Sequence, residues 1–283
     1  IQLYARAIKD GFAASPVRRV VSLGSGDGAI EVQVAKTLER DGVTDYEFLL
    51  HELSPIQNER AQLRAQEAGL KGKFVTFETN LNEWQPDGEF AAVIAHHSLH
   101  HIVELEHVFD QILAFMAPGG TFATFDIIGR NGHMRWPETY AIINAFWHFL
   151  PEDKRRHAVL NFVADDYRDH DSSTQGFEGI RAQDILPELV SRFEFETFFA
   201  WGGLTDVFTG RGYGANFDAT IPEDQRFISL VDELNEALLS IGAIKPTILC
   251  AVMQKSFKGT PRRYRGREPA AMVRDPSELN SLP

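Results

Sequence analysis

The chain is predicted to be an α/β protein: a doubly wound, mainly parallel sheet of seven strands, Rossmann-like, with a helical lid built from C-terminal insertions. Three observations predict it. Short apolar runs alternate with helical patterns through the first 130 residues, the first run ends in a glycine-rich turn, and polar residues recur where successive strands stop. Ligands bind at those strand ends in sheets of this kind.

The first strand, Val20–Val21–Ser22–Leu23, runs into Gly24–Ser25–Gly26–Asp27–Gly28, and a helical pattern follows at Ile30, Val34 and Leu38. Glycines let the chain turn sharply and approach a ligand that a Cβ would exclude. The helix N-terminus then offers free N–H groups and a partial positive charge to an anionic group. The spacing Gly24-x-Gly26-x-x-Ala29 fits the fingerprint of nicotinamide enzymes, and Gly24-x-Gly26-x-Gly28 fits a second kind of nucleoside site. The turn alone leaves both open.

The second strand, Tyr46 to His51, ends at Glu52, a carboxylate well placed for ribose hydroxyls. Ser54 with Gln57, and Pro55 at the first helical position, start a helix that stops at Gly69. The third strand, Phe74 to Phe77, runs out at Asn80, which could reach an adenine edge. Pro86–Asp87–Gly88 turns into the fourth, Ala91 to Ala95, which stops at His96–His97–Ser98–Leu99–His100–His101. A helix apolar at Ile102, Leu105, Phe109, Ile112 and Met116 follows. Pro118–Gly119–Gly120 then leads to a fifth strand, Thr121 to Ile128.

In order and spacing, Val20–Gly28, Glu52, Ser98–Leu99–His100–His101 and Ala117–Pro118–Gly119–Gly120 resemble class I S-adenosylmethionine (SAM)-dependent methyltransferases over about the first 130 residues. Ser22 and Asn80 depart from the family, which usually has acidic residues there. The resemblance implies SAM as cofactor, held by Gly24, Ser25, Gly26, Glu52, Leu53, Asn80, Leu81, Ala95, His96 and His101. It implies methyl transfer to an oxygen or nitrogen of a small-molecule acceptor. A SAM-binding protein without methyl transfer (a cyclase or regulatory module) and a nicotinamide oxidoreductase are the alternatives.

Beyond Ile128 the alternation lapses. His133 to Leu150 carries an aromatic helical pattern, Asp165–Thr174 reads as loop, Ile180–Phe193 as a sheet-covering helix and Phe193–Trp201 as a sixth strand. Gly202–Phe217 is irregular, and Pro222–Leu239 is a long helix. Thr247–Met253 is the seventh strand, antiparallel by resemblance. Residues 1–130 thus form the cofactor-binding core, 131–245 the acceptor lid interleaved with the sixth strand, 246–255 the last strand and 256–283 a tail. The lid's glycines and polar loop imply few buried apolar contacts, as local opening requires. Its polar candidates for the acceptor are Tyr140, Asn144, His148, Tyr213 and Asn216.

Composition bounds the partners. With 283 residues, 43% of them hydrophobic, the chain can bury a large core. A formal net charge of −12 argues against nucleic acid, and no apolar run is long enough for a membrane span. A homo-oligomer is compatible with the sequence. The basic cluster Lys258, Arg262, Arg263, Arg265 and Arg267 is expected to dock on an acidic surface. The single cysteine, Cys250, excludes an intrachain disulfide and suits a reducing, cytoplasmic setting.

Five of the ten histidines fall between His96 and His107. No cysteine or clear carboxylate joins the His96–His101 run nearby, so a metal is not expected. His96 is expected to line the cofactor pocket through its backbone, His101 to pack at the start of the helix, and His107 to face solvent. His100 remains as the residue to act on the acceptor, with His97 in reserve, because imidazole accepts protons near neutral pH. The resemblance places His100 where the family turns a side chain toward the transferring methyl.

Overall fold

The structure is a computed structural model that describes residues 1–174 and 176–274, so the end of the expected tail lies outside the described residues. Strands β1 (Arg19–Leu23), β2 (Glu47–Glu52), β3 (Phe74–Glu78), β4 (Phe90–His96), β5 (Met116–Ile127), β6 (Glu194–Trp201), β7 (Ile248–Gln254) and β8 (Arg262–Arg263) make one sheet. Their order is β3-β2-β1-β4-β5-β7-β6-β8. The first five pair in parallel, and β7 runs antiparallel between β5 and β6. The eighth strand corrects the expected seven: Arg262 and Arg263 of the basic segment pair with Thr197 and Phe198 of β6. Acidic partners draw that segment in, as Glu196 meets Arg262 and Glu236 meets Arg265 and Arg267.

Helices α1 (Gln2–Ala14), α2 (Ala29–Arg40) and α3 (Pro55–Glu67) cover one face, sharing a core with Val20, Phe48, Leu50 and Ile94. On the other, α4 (Leu105–Phe115) and α6 (Ala182–Arg192) pack over Val21, Val93 and Phe122. The expected α3 cap is present, with Ser54 Oγ accepting from Gln57 N–H at 3.4 Å. Two expected boundaries move. A short 3-10 turn, Leu99–His101, precedes α4, which begins only at Leu105. Strand β5 begins before Pro118–Gly119–Gly120, and its register with β4 shifts between Phe90 and Ala92 to pass that segment. Gly119 sits at φ +74°, where an added Cβ would meet Ala14 Cβ at 2.5 Å.

The insertions contain α5 (Pro137–Trp147), α7 (Thr205–Thr209) and α8 (Pro222–Ser240); a last short helix, α9 (Pro269–Met272), follows the sheet. Contrary to the expectation of few buried apolar contacts, they build a third core. Ile143, Trp147, Tyr167, Phe208, Tyr213 and Val231 are buried together there. Glycine content misled the expectation, because Gly210, Gly212 and Gly214 each sit tight against a neighbour instead of marking open chain.

Helix α1 has no counterpart in the sequence-based expectations. Its residues Tyr4, Ala7, Ile8, Gly11 and Phe12 recur at helical spacing and are buried. Gly11 lets it lie directly on β4, since a Cβ there would stand 2.3 Å from Ala91 O. Alanine favours helix over glycine by about 0.8–1.0 kcal/mol, but the backbone clash outweighs that gain. Gly11→Ala is therefore expected to lose about 1–3 kcal/mol of stability in urea unfolding. An unchanged or higher midpoint would place α1 off the strand.

Candidate active site

The strand order reverses at β1, whose neighbours β2 and β4 lie on opposite sides. This is the switch point at which ligands bind in doubly wound sheets. β1, β2 and β4 stop level with one another there, Leu23 lying beside both His51 and Ala95. Ser98 Oγ donates to Leu23 O at 2.7 Å, tying the ends of β1 and β4 together. Gly24, at φ +64°, is glycine because a Cβ would lie 2.6 Å from Ser98 Cβ.

Glu52 shapes the other side of the turn. Its Oε2 accepts from Gly26 N–H at 3.0 Å, and its Oε1 accepts from Ser54 N–H at 2.9 Å. A carboxylate has about four lone-pair sites, so it keeps acceptor capacity for hydroxyl groups. Gly26 is at φ +53°, with nothing within 4 Å of where a Cβ would stand. The loop thus keeps open space beside a helix N-terminus, and α2 begins at Ala29.

A cleft of about 670 Å³ opens at these strand ends, a size suited to a nucleoside-bearing ligand. Of the expected cofactor residues, Gly24, Glu52, Leu53, Asn80, Leu81 and His101 line it, as does His97. Ser25, Gly26, Ala95 and His96 are not among its lining residues. Ala95 is buried in β4, and the His96 ring turns to Tyr4, with Nδ1 3.0 Å from the hydroxyl. Asn80 is engaged locally, its Oδ1 accepting from Asn82 N–H at 3.2 Å. Thr79, Asn82, Ser98, Ile102, Val103, Gly176 and Phe177 complete the lining and were not foreseen.

The departure at Ser22 has a structural answer. Glu31, in the first turn of α2, is buried and accepts from Ser22 Oγ at 2.6 Å. A carboxyl thus stands beneath the glycine turn, supplied by the helix. Burial pushes its pKa up to about 7, against the lowering effect of the Ser22 hydrogen bond.

His100 is buried in the 3-10 turn and, unlike Ser98 and His101 beside it in sequence, is not among the cleft's lining residues; its Nδ1 lies 2.5 Å from Asp126 Oδ1. Asp126 stands near the end of β5, fully buried, and its Oδ2 accepts from Ser98 N–H at 3.0 Å and Leu99 N–H at 2.8 Å. Burial alone would lower the His100 pKa, but the hydrogen bond and charge of Asp126, with Glu178 adding, raise it above the ordinary imidazole value. Glu178 reaches in from the insertion, with Oε1 3.6 Å from His100 Nε2 and 2.9 Å from His133 Nε2, and Oε2 3.6 Å from His101 Nε2. Carboxylates distant in sequence therefore do join the histidines, which corrects the reading that none stands near. His101 is exposed toward Glu178 and does not pack under α4. His107 is turned inward, Nε2 2.8 Å from Trp84 O, so it does not face solvent alone.

None of the five expected acceptor residues lines the cleft. Their polar groups serve the insertions internally. Tyr140 hydroxyl donates to Tyr167 O, Asn144 Oδ1 accepts from Tyr167 N–H, and Asn216 Nδ2 donates to Lys154 O and Arg156 O. His148 is exposed and pairs with Asp166, while Tyr213 is buried against Trp147.

Residues 2–160 match the family model described as a methyltransferase domain. The chain belongs to that family. Among solved structures, the methyltransferase is similar to an O-methyltransferase from the trans-AT PKS multienzyme of Brevibacillus brevis, in complex with S-adenosyl-L-homocysteine. The two are 12% identical, with 99% of this chain and 82% of that one covered and a TM-score of 0.52. It is also similar to the StiE O-MT (15% identity, 89% and 75% covered, TM-score 0.48) and to a geranyl diphosphate methyltransferase in complex with SAM (16%, 90% and 85%, 0.49). Comparison with curated proteins gives no match. At these identities the likeness is one of fold. The enzyme is a SAM-dependent methyltransferase of class I, and the open glycine turn with the Glu52 carboxylate fits that cofactor.

Two outcomes follow from this geometry. Glu52→Ala should weaken SAM binding by about 1.5–3 kcal/mol in calorimetry, the range for hydrogen bonds to a charged group; an unchanged dissociation constant would place the ribose elsewhere. Glu31, with its pKa raised from 4.5 to about 7, keeps in the folded state a proton that the unfolded chain releases. Its contribution is complete below pH 4.5 and is lost as pH rises through about 7. Stability of the wild type should therefore fall across that window, while Glu31→Gln flattens the slope; equal slopes would mean Glu31 is ionised.

Proposed function

We propose that the enzyme methylates a hydroxyl oxygen of a small-molecule acceptor, with His100 as general base. The observation that carries this reading is the buried Asp126–His100 pair, held in the turn whose residues Ser98 and His101 line the cleft. SAM supplies an electrophilic methyl group on its sulfonium. The residues have three tasks: to hold that group, to place the acceptor oxygen in line with it, and to take the proton that a hydroxyl sheds as it becomes a nucleophile.

Asp126 acts through the ring. It accepts the Nδ1 hydrogen and thereby leaves the Nε2 lone pair of His100 available as the proton acceptor. It also stabilises the imidazolium that proton uptake creates. Backbone N–H groups of Ser98 and Leu99 hold the carboxylate, so the ring is oriented before an acceptor arrives. Positioning supplies much of the acceleration in such a displacement, and general-base removal of the proton adds about 10²–10⁴-fold.

His97 is a cleft-lining residue and lies on the acceptor side in this reading. Phe177 and Gly176 bring the insertion to the cleft edge, which supports the insertions as an acceptor lid. The acceptor then meets the cleft liners and the tip at residues 176–178 instead of the five polar residues first expected. The lone cysteine and the acidic surface suit a cytoplasmic enzyme for small molecules.

Turnover with methyl-labelled SAM and a panel of hydroxylated acceptors tests the reading. His100→Ala should cut turnover about 100-fold or more while leaving SAM affinity intact. Asp126→Asn should also lower turnover, by leaving the ring with the wrong tautomer. Full turnover in a folded His100→Ala protein would remove the base and this mechanism with it.

A further inference from the structure

We propose that His100, His101 and Glu178 form a binding site for one divalent transition-metal ion of the zinc class. The three side chains come from the 3-10 turn after β4 and from the insertion loop, and each offers one donor atom, all within 4.8 Å of one another. Two imidazoles and one carboxylate suit zinc or a neighbouring first-row ion, with a fourth position left for water.

Two features separate this cluster from a chance meeting of polar groups. The first is spacing. Glu178 Oε1 stands 3.6 Å from His100 Nε2 and Glu178 Oε2 stands 3.6 Å from His101 Nε2, both too long for hydrogen bonds. Bonds of about 2.0–2.1 Å in a tetrahedron put neighbouring donor atoms about 3.3 Å apart. One donor atom from each residue lies within 4.8 Å of the other two, so side-chain rotations that draw them together by about 1–1.5 Å give the separation a shared ion demands.

The second is orientation from behind. Asp126 Oδ1 takes the Nδ1 hydrogen of His100 at 2.5 Å, which fixes the tautomer with a lone pair on Nε2, facing Glu178. A carboxylate behind a ligating imidazole is the usual second support of a zinc histidine. His133 does the same for the carboxylate, its Nε2 lying 2.9 Å from Glu178 Oε1. Both the buried ring and the acid are therefore held in place by partners outside the donor set.

A bound ion occupies the lone pair that the proposed base needs. Zinc should accordingly inhibit methyl transfer, and this consequence rests on the base reading of His100, whereas the ion site itself does not.

Calorimetry of the metal-free full chain with zinc chloride tests the site. One equivalent should bind with micromolar or tighter affinity. Glu178→Gln, an isosteric change at a half-buried group, and His101→Ala, at an exposed one, are expected to melt as the wild type does and should each weaken binding at least tenfold. Asp126→Asn should weaken it about 10–100-fold, and His148→Ala, on the distant exposed pair, should leave it unchanged. Cobalt(II) should give the intensified visible absorption of a four-coordinate ion, lost in Glu178→Gln. Absence of binding, or equal affinity in Glu178→Gln and His101→Ala, would overturn the site. Tight zinc binding with undiminished turnover would uphold the site and refute His100 as the base.

Discussion

A fully buried carboxylate on an apolar strand sets the geometry of this enzyme. Asp126 lies in β5 among Phe122, Ala123 and Phe125, where an unpaired charge would cost several kcal/mol. The chain satisfies it four times: from Ser98 N–H, Leu99 N–H, its own residue's neighbour Ile127 N–H at 2.8 Å, and the His100 ring. Those partners all belong to the ends of β4 and β5 or to the turn between β4 and α4. The desolvated acid therefore dictates where that turn can run, and His100 is one of its ligands before it is anything else.

From there the constraint passes to the cofactor side. Fixing Ser98 by its backbone aims its hydroxyl at Leu23 O, and its Cβ then stands where only a glycine can pass at residue 24. The turn that follows is pinned by Glu52 through Gly26 N–H. The glycine turn and His100 are consequently parts of one hydrogen-bonded assembly across three strand ends. Interiors packed this tightly transmit displacement, so a change at Asp126 is felt at Gly24.

Much of this assembly was legible because it is local in sequence. The glycine turn, Glu52 after β2 and the histidine run after β4 each sit at the end of an apolar run, and the chain's alternation places those ends side by side. Asp126 was legible in principle, as the one carboxylate in Thr121–Ile128, though nothing marked it until the fold put it behind His100. Glu31 and Ser22 show a different limit, since a carboxyl moved from strand to helix leaves the strand motif looking incomplete. The five expected acceptor residues lie away from the cleft for a third reason. An aromatic helical pattern says that Tyr140 and Asn144 lie on a helix that buries one face, but the partner of each polar atom is fixed by tertiary packing. In this chain Tyr167 took both.

Glu178 is the residue that no local pattern could supply. The chain that follows it is tied down. Gly132 N–H donates to Gly179 O at 2.9 Å, and Asn131 and Gln183 exchange backbone-to-side-chain hydrogen bonds. Three residues beyond Glu178, Arg181 grips Glu106 through two nitrogens at 2.5 and 2.7 Å and also donates to Val103 O beside the cleft. The bidentate pair holds the Glu106 carboxyl down at about 2, as the geometry of a fork meeting a carboxylate requires. A single exposed ion pair contributes little, yet these anchors share one short segment and leave it little freedom. The insertion thus brings the Glu178 carboxylate to within 3.6 Å of both the His100 and His101 rings, through anchors that follow it in sequence.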